Sequence, residues 1–201
     1  MSAKKPAPPV NNHVCPPRLS LMLDNWIRRV LQNPGKIVGE YIRKGDTVVD
    51  IGCGPGFFIT EMARRVGKSG RVFAVDLQPE MLEKVRKKAE AQNVLHVVSF
   101  HCCEADRIGL QLERAADFIL AYYVVHELAD QASFFREAGK LLKPSGILLV
   151  VEPRFHVKGV RFDETIRLAE QSGLLAVAHP RKKGGYSVLL KVREGISPGQ
   201  S

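Results

Sequence analysis

Short, almost uninterrupted apolar runs alternate along the chain with segments in which apolar residues recur every three or four positions. The runs predict strands buried on both faces, and they are TVVDI, RVFAV, HVVSF, DFILA and GILLVV. The periodic segments predict amphipathic helices over residues 24–32, 34–42, 57–66, 79–92, 130–142 and 162–172. Strands and helices in this alternation predict a doubly wound α/β fold, with a mostly parallel sheet and helices on both of its faces.

The two ends of the chain depart from this pattern. Residues 1–33 begin with a proline-rich stretch and contain one predicted helix, and we expect an N-terminal arm whose helix forms a lid, an inference from its position before the first strand. Residues 34–193 are the predicted domain, which closes with two strands, LLAVAH and YSVLLKV, joined by PRKKGG. Residues 194–201 are expected to form a flexible tail. A chain of 201 residues is long enough for one such domain with a full core.

Composition narrows the class of protein. No apolar run approaches the roughly 20 residues of a membrane span, and the N-terminus has no apolar segment as long as that of a signal peptide. We therefore expect a cytoplasmic protein with no membrane partner. The cysteines Cys15, Cys53, Cys102 and Cys103 are then expected to be reduced, and their spacing fits no common zinc pattern. The adjacent Cys102 and Cys103 leave a metalloid-binding thiol pair as a second interpretation.

Three glycines cluster where the first strand ends, in the sequence VVDIGCGPGFF of residues 48–58. Glycine tolerates sharp turns and close approach of a ligand, so Gly52, Gly54 and Gly56 indicate a binding crevice at the carboxyl end of the sheet. The amide groups at the start of the following helix can bind a carboxylate or phosphate. Asp76 ends the second strand, where a carboxylate can accept both hydroxyls of a ribose. These features predict a cofactor that contains a nucleoside.

The spacing of the glycines excludes a dinucleotide fingerprint. G-x-G-x-x-G would need glycine at position 57 or 59, where the chain has Phe57 and Ile59. The residues from Asp50 to Gly56 instead form D-x-G-x-G-x-G. With this motif, Asp76 and the order of the elements, the chain resembles the class I S-adenosylmethionine-dependent methyltransferases, specifically methyltransferase domains of the type 11 and type 25 kind, over about residues 34–192.

The resemblance implies a Rossmann-like sheet of seven strands, with the last antiparallel and inserted beside the fifth, and S-adenosyl-L-methionine as the cofactor. Asp76 corresponds to the acid that binds the ribose, and Glu104 with Ala105 to the pair that binds adenine, although Asp106 would shift that register by two. The residues assigned in this way to the cofactor are Asp50, Gly52, Cys53, Gly54, Gly56, Asp76, Leu77, Glu104, Ala105 and Ala121. Tyr122 and His126 follow the fourth strand and are the candidate catalytic residues.

Several of these residues have a second interpretation. Asp50 is either a cofactor contact or a structural partner of the loop amides. Cys53 is expected to fill a position that needs a small side chain, and Asp76 could merely end its strand at the surface. His126 is either a general base or a packing and hydrogen-bonding residue in YYVVHEL.

The charge distribution bears on the acceptor. Lysines and arginines outnumber acidic residues, which gives a net charge of +9. They are spread along the chain, but two loops expected at the cofactor end of the sheet are locally basic. The loop residues are Arg154, His156, Lys158 and Arg161 after the fifth strand, and Arg181, Lys182 and Lys183 after the sixth. A basic entrance suits a small anionic acceptor or a nucleic-acid phosphate, and a solvated surface is the plain alternative.

We predict an enzyme that methylates a small, anionic molecule. The rim lacks the interleaved aromatic residues of a surface that stacks single-stranded bases, and AYYVVH lacks the Asn/Asp-Pro-Pro-aromatic signature associated with methylation of planar nitrogens. An RNA or protein methyltransferase is the second hypothesis, and a domain that binds the cofactor without catalysis is the third. The pattern makes no prediction about the oligomeric state.

Overall fold

The computed structural model describes residues 33–182 and 185–193. Its strands are β1 (Thr47–Ile51), β2 (Arg71–Asp76), β3 (Val98–Cys102), β4 (Ala116–Tyr122), β5 (Leu142–Pro153), β6 (Leu174–Ala178) and β7 (Gly185–Val192). Its α-helices are α1 (Pro34–Val38), α2 (Ile59–Val66), α3 (Pro79–Ala91), α4 (Gln131–Leu141) and α5 (Gly159–Gln171). Single 3₁₀ turns occur at Leu95–Val97 and Val125–Glu127. Every predicted strand and helix that falls within the described residues is present.

The strands form one sheet in the order β3-β2-β1-β4-β5-β7-β6. Neighbouring strands are parallel from β3 to β5, whereas β7 is antiparallel to both β5 and β6. The predicted seven-stranded sheet, with its last strand antiparallel beside the fifth, is confirmed. The chain order reverses between β1 and β4, and the carboxyl ends of these strands border the crevice where such sheets bind ligands.

Each face of the sheet has its own hydrophobic core, because side chains alternate along a strand. Val48, Phe118 and Leu149 pack on one face with residues from α1, α2 and α3. Val49 and Ile119 pack on the other face with residues from α4 and α5. This arrangement buries the central strands completely and leaves only their ends for function.

The structure moves some predicted boundaries. The side chain of Asn33 accepts a hydrogen bond from the Gly35 amide at the start of α1. This helix stops at Val38 rather than residue 42, and Tyr41 stacks on Phe118 from the turn that follows. The helix predicted over 57–66 begins at Ile59, because the glycine loop continues through the preceding residues.

Parts of the predicted organisation lie outside the described residues. They are the arm over 1–33 apart from Asn33, including its helix over 24–32, the tail over 194–201, and the residues Cys15 and Lys183. Within the residues that the structure does describe, no helix has the length and apolar character needed to cross a membrane.

The burial of β4 predicts how much a shortened side chain in this strand should destabilise the domain. Leu120 lies in the centre of the sheet and is fully buried, so Leu120→Ala leaves a cavity and should lower the free energy of unfolding by about 2–5 kcal/mol. Leu175→Ala removes the same atoms from a side chain that is 43 % exposed on β6 and serves as the control. Denaturant unfolding of both variants measures the difference. Equal losses would contradict the assignment of β4 to the core.

Candidate cofactor and acceptor site

The glycine loop folds back over the end of β2. The amides of Gly52 and Cys53 both donate to the carbonyl of Val75, at 2.9 and 3.0 Å. Gly52, Gly54 and Gly56 all have positive φ angles, which glycine adopts without the steric cost that other residues incur. A Cβ on Gly54 would meet no atom within 4 Å, so the loop backbone is open on that side. The sequence-based expectation of a tight turn with an accessible backbone agrees with this geometry.

Asp76 holds the loop in place from the end of β2. Its Oδ2 accepts a hydrogen bond from the Gly54 amide at 2.8 Å, and its Oδ1 accepts one from the Gln78 amide at 2.9 Å. Burial raises the pKa of the Asp76 carboxyl, and the N–H groups of Gln78, Gly54 and Leu77 oppose that shift. A carboxylate has about four acceptor positions, so both oxygens keep the capacity to bind hydroxyl groups.

Asp50 lies beside Asp76 at the end of β1, with 1 % of its surface exposed. Its buried Oδ2 has no hydrogen-bond partner among the described residues. Burial and the neighbouring charge of Asp76 raise the pKa of Asp50 well above its usual range. The amide of Gly54 in the glycine loop is bonded to Asp76.

Sequence reasoning missed two residues that support these loops. Lys88 extends from α3, and its Nζ donates to the carbonyl of Pro55 at 2.8 Å. Glu137 extends from α4, and its Oε2 accepts from the amides of Ile108 and Gly109, each at 3.0 Å. Both are charged residues on helices whose apolar periodicity assigns them only to an outer face, so nothing in the sequence indicates their partners.

The remaining cofactor candidates lie after β2 and β3. Leu77 is 36 % exposed at the carboxyl end of β2. Glu104 and Ala105 are exposed in the turn after β3, where the Glu104 carboxylate forms an ion pair with Arg107.

Cys53 is buried in the glycine loop, and burial, followed by the charges of Asp50 and Asp76, raises its pKa well above the usual value. A thiol with that pKa stays protonated near neutral pH, which suits the filling role expected for Cys53.

The adjacent thiols after β3 differ in their surroundings. Cys102 is exposed, and its Sγ lies 3.6 Å from the carbonyl of Leu77. Cys103 is partly buried, and burial raises its pKa to about 11. The structure contains no group of three metal-binding side chains within the residues that it describes.

A row of aromatic rings lies at the carboxyl end of the sheet, next to the glycine loop. Ring centroids are 4.9 Å apart for Phe58 and Tyr122, 4.2 Å for Tyr122 and Tyr123, and 6.3 Å for Tyr123 and Phe155. The row continues through His156 to His126, with separations of 4.6 and 6.1 Å. We call these six residues the aromatic row. Tyr122 is buried at the end of β4 beside Ala121, Phe155 and His156 are exposed, and His126 is partly buried. The row therefore begins in the core and crosses the surface before it reaches His126.

Two members of the aromatic row differ from the others in exposure and in backbone conformation. Phe155 is 75 % exposed, although a single exposed ring is not the interleaved set that a surface for single-stranded bases would need. Tyr123 has a φ angle of 62°, an unusual conformation for an aromatic residue, and its amide donates to the Val151 carbonyl at 2.8 Å. Such strained backbone is common at functional sites and turns the chain sharply at the end of β4.

His126 is paired with a buried carboxylate that the sequence analysis did not identify. Its Nδ1 contacts Oε2 of Glu152, a residue of β5 with 1 % of its side chain exposed. The other oxygen, Oε1, accepts a hydrogen bond from the Val125 amide at 3.0 Å. Burial of the ring favours neutral imidazole, but the hydrogen bond and charge of Glu152, assisted by Glu127, outweigh it and raise the pKa of His126.

The basic loops contribute unequally to the entrance. Arg154, Lys158 and Arg181 are exposed, and Arg154 lies over the Tyr186 ring at 4.9 Å. Lys182 differs, because its side chain is only 6 % exposed and its Nζ pairs with Glu40 at 2.7 Å. It also lies over the ring of Tyr41 at 4.7 Å. Lys182 therefore joins the last loop to the segment after α1 instead of facing a ligand.

The sequence and the fold are similar to those of proteins of known class. The family described as "Methyltransferase domain" matches residues 42–183, more than half of the chain. The chain belongs to this family. A solved S-adenosylmethionine-dependent methyltransferase of Aquifex aeolicus has 25 % identity and a TM-score of 0.79, covering 89 % of this chain and all of that one. The resemblance to class I S-adenosylmethionine-dependent methyltransferases, and with it the prediction of a transferase domain, is confirmed.

Two further similarities differ in kind. A curated 2-phytyl-1,4-naphtoquinone methyltransferase of Trichormus variabilis is 30 % identical over 115 residues, which are 57 % of this chain and 48 % of that protein. The [4+2]-cyclase SpnF has a TM-score of 0.66 at 17 % identity, with 80 % of both chains covered, and shares the fold. The chain spans between 31 % and 48 % of the length of the first curated relatives that it matches.

The residues present in this methyltransferase domain fit the cofactor that the family implies. The crevice offers a buried carboxyl oxygen of Asp50 without a partner, acceptor capacity on Asp76, and open backbone at Gly54. A cofactor with a cationic sulfur, an amino group and two ribose hydroxyls has a chemical counterpart for each of these features.

The packing of the glycine loop against Val124, in the segment after β4, gives a stability prediction. A Cβ on Gly52 would lie 2.7 Å from Cγ2 of Val124, and its φ of 68° adds about 1–2 kcal/mol for any residue with a side chain. Gly52→Ala should therefore unfold more easily than Gly54→Ala, where the φ is also positive but no atom is near. Chemical denaturation measures both variants.

Removing the opposing side chain tests the cause. Val124→Ala should recover part of the loss in the Gly52→Ala background and none in the Gly54→Ala background. Strict additivity of Gly52→Ala and Val124→Ala would show that the loop packs differently.

Proposed function

We propose that this domain transfers a methyl group from S-adenosyl-L-methionine to a small molecule with a planar, conjugated ring. The observation that carries the proposal is the aromatic row, which begins beside the glycine loop and leads outward to His126. When bound, the cofactor supplies a methyl group on a positively charged sulfur. The protein's contribution is to bind and orient both partners, because a direct displacement gains much of its rate from alignment.

Each part of the cofactor has a proposed partner. Asp76 accepts the ribose hydroxyls, Leu77 packs on the adenine, and Glu104 with Ala105 binds the edge of that base. Asp50, Gly52, Cys53, Gly54 and Gly56 enclose the methionine part, and Ala121 lines its far side. The unpartnered Oδ2 of Asp50 supports a cofactor contact over a purely structural role, because a buried polar oxygen without a partner is costly.

The acceptor class follows from the other half of the site. The rings of the row contact one another, with centroids 4.2 Å apart for Tyr122 and Tyr123 and 4.6 Å apart for Phe155 and His156. A flat molecule would therefore stack on the exposed ring of Phe155, and such a pair adds to the energy of simple burial. The naphthoquinone named for the relative from Trichormus is a molecule of this shape. Exposed Arg154, Lys158 and Arg181 near the rim favour an anionic acceptor, although their charges are screened in salt.

Tyr122 and His126 are the proposed catalytic residues. Tyr122 is buried between Phe58 and Tyr123 and supplies the inner wall of the acceptor pocket. His126 closes the other end of the row. We expect the protein to act in the cytoplasm without a membrane partner, as the sequence predicts.

Two other functions compete with this proposal. RNA methylation gains some support from the exposed Phe155 beside Arg154, but a surface that binds single strands needs several stacking rings along a basic groove. Cofactor binding without methyl transfer remains the third function, because the same fold occurs in a [4+2]-cyclase. The experiments below separate the three.

Asp76 gives a direct test of cofactor binding. Asp76→Asn keeps one oxygen to accept from a loop amide but loses the charge and the second acceptor, so affinity for S-adenosylhomocysteine should fall at least tenfold. Asp163→Asn, on the exposed surface of α5, is the matched control and should bind like the wild type. Isothermal titration measures both. Unchanged affinity in a folded Asp76→Asn variant would show that another residue holds the ribose.

Labelled methyl transfer into a cell extract tests the acceptor class. With S-adenosylmethionine labelled on the methyl group, the wild type should place label in small molecules, in a fraction that anion exchange retains. The Asp76→Asn variant should place at least tenfold less label there. Label in RNA or protein would support the second function instead, and cofactor binding with no labelled product in any fraction would support the third.

A further inference from the structure

We propose that His126 and Glu152 form a general-base pair, and that the methyl acceptor is consequently an ionisable hydroxyl oxygen on the acceptor ring. The inference rests on the proposed methyl transfer and makes it more specific. Glu152 acts as a positioning residue, because it works through His126 and reaches no substrate itself. Nothing in the sequence pattern distinguishes Glu152 from the end of a buried strand.

The close contact between His126 and Glu152 favours a proton on one ring nitrogen. Glu152 is fully buried, its Oε1 is occupied by the Val125 amide, and its Oε2 faces Nδ1 of His126. A buried carboxylate in that position requires a donor, so Nδ1 carries the hydrogen in neutral imidazole. The other nitrogen, Nε2, then has a free lone pair. A base held in the correct tautomer by a carboxylate is the arrangement that hydroxyl activation requires.

His126 is accessible where the acceptor would lie. Its side chain is 21 % exposed, it ends the aromatic row, and it lines a cleft of about 280 Å³ between α4 and α5. That cleft brings Gln131, Arg161 and Thr165 to the same wall. His126 is the member of the aromatic row that lines this cleft, and in the proposal an acceptor ring bound there presents its hydroxyl to Nε2.

The charges around the imidazole come from several elements. Glu152 of β5 and Glu127 of the 3₁₀ turn favour the imidazolium, whereas Arg161 of α5 opposes it. Asp130 before α4 and Glu164 of α5 also line the cleft, and the ring of His156 lies over that of His126. The imidazolium formed after proton uptake is thus stabilised chiefly by Glu152.

The chemistry balances without any further reactant. The acceptor O–H bond breaks as Nε2 gains the proton, so the negative oxygen and the imidazolium form together. The oxygen then forms a bond to the methyl carbon as the carbon–sulfur bond of the cofactor breaks, and sulfur retains the electron pair. The imidazolium returns its proton to water at the exposed face of the ring.

Glu152→Gln tests the pair with little change of shape. The glutamine oxygen can still accept from the Val125 amide, but its NH₂ group donates to Nδ1 and moves the imidazole proton to Nε2. Nitrogen-15 NMR of the histidines, assigned with His126→Gln, should find a raised pKa for His126 with Nδ1 protonated in the neutral form. In Glu152→Gln the pKa should fall and the proton should reside on Nε2. His96→Gln, at the exposed 3₁₀ turn before β3, is the control and should leave both properties of His126 in place.

Binding of 4-nitrophenol, whose phenolate absorbs visible light, reports the base without turnover. At a pH below the pKa of the free phenol, wild-type protein with S-adenosylhomocysteine should bind it as the phenolate, and Glu152→Gln should lower the bound phenolate at least tenfold. S-adenosylhomocysteine affinity is measured on the same samples. If the wild-type protein does not bind S-adenosylhomocysteine, the proposed function is overturned. If the wild type binds S-adenosylhomocysteine but binds 4-nitrophenol in its neutral form or not at all, only the base pair is overturned. The same holds if NMR finds the neutral His126 protonated on Nε2.

Discussion

One buried carboxylate, Asp76, holds together the part of the molecule on which the rest of the site depends. The glycine loop must reverse direction at the end of β1, and its amides need acceptors that a strand or helix would normally supply. Asp76 accepts from Gly54 at 2.8 Å, and the Val75 carbonyl accepts from Gly52 and Cys53. These bonds leave the outer side of the loop backbone open while the strand ends remain buried. The arrangement also buries a second carboxyl group, that of Asp50, beside Asp76 and leaves one of its oxygens without a hydrogen-bond partner among the described residues.

The acceptor half depends in the same way on the pairing of β4 with β5. The register places Tyr122 opposite Val151, so the chain leaves β4 beside Glu152. From there the Tyr123 amide reaches the Val151 carbonyl, and the Val125 amide reaches Glu152. Two hydrogen bonds to β5 thus shape the loop that carries His126. The positive φ of Tyr123 is the strain that this sharp exit requires.

The sequence predicts the features that arise from local periodicity and from motif spacing. Strand runs and helical spacing predicted every described strand and α-helix, and the Asp50–Gly56 motif predicted the sharp turn after β1. Contacts between side chains that are far apart in the sequence cannot be predicted from periodicity or motif spacing. Glu152 ends an apolar run, and its partner follows only from strand register, while Lys182 pairs with Glu40 across most of the chain. Lys88 and Glu137 look like ordinary surface charges on their helices until the loops they hold are folded against them.

Isothermal titration of the wild-type protein with S-adenosylhomocysteine and, separately, with NAD tests the central claim most directly. The glycine spacing, the Asp76 carboxylate and the unpartnered Asp50 oxygen all predict that S-adenosylhomocysteine binds with one site per chain and that NAD does not bind. Binding of NAD with no binding of S-adenosylhomocysteine would contradict the account of the crevice and of every function built on it.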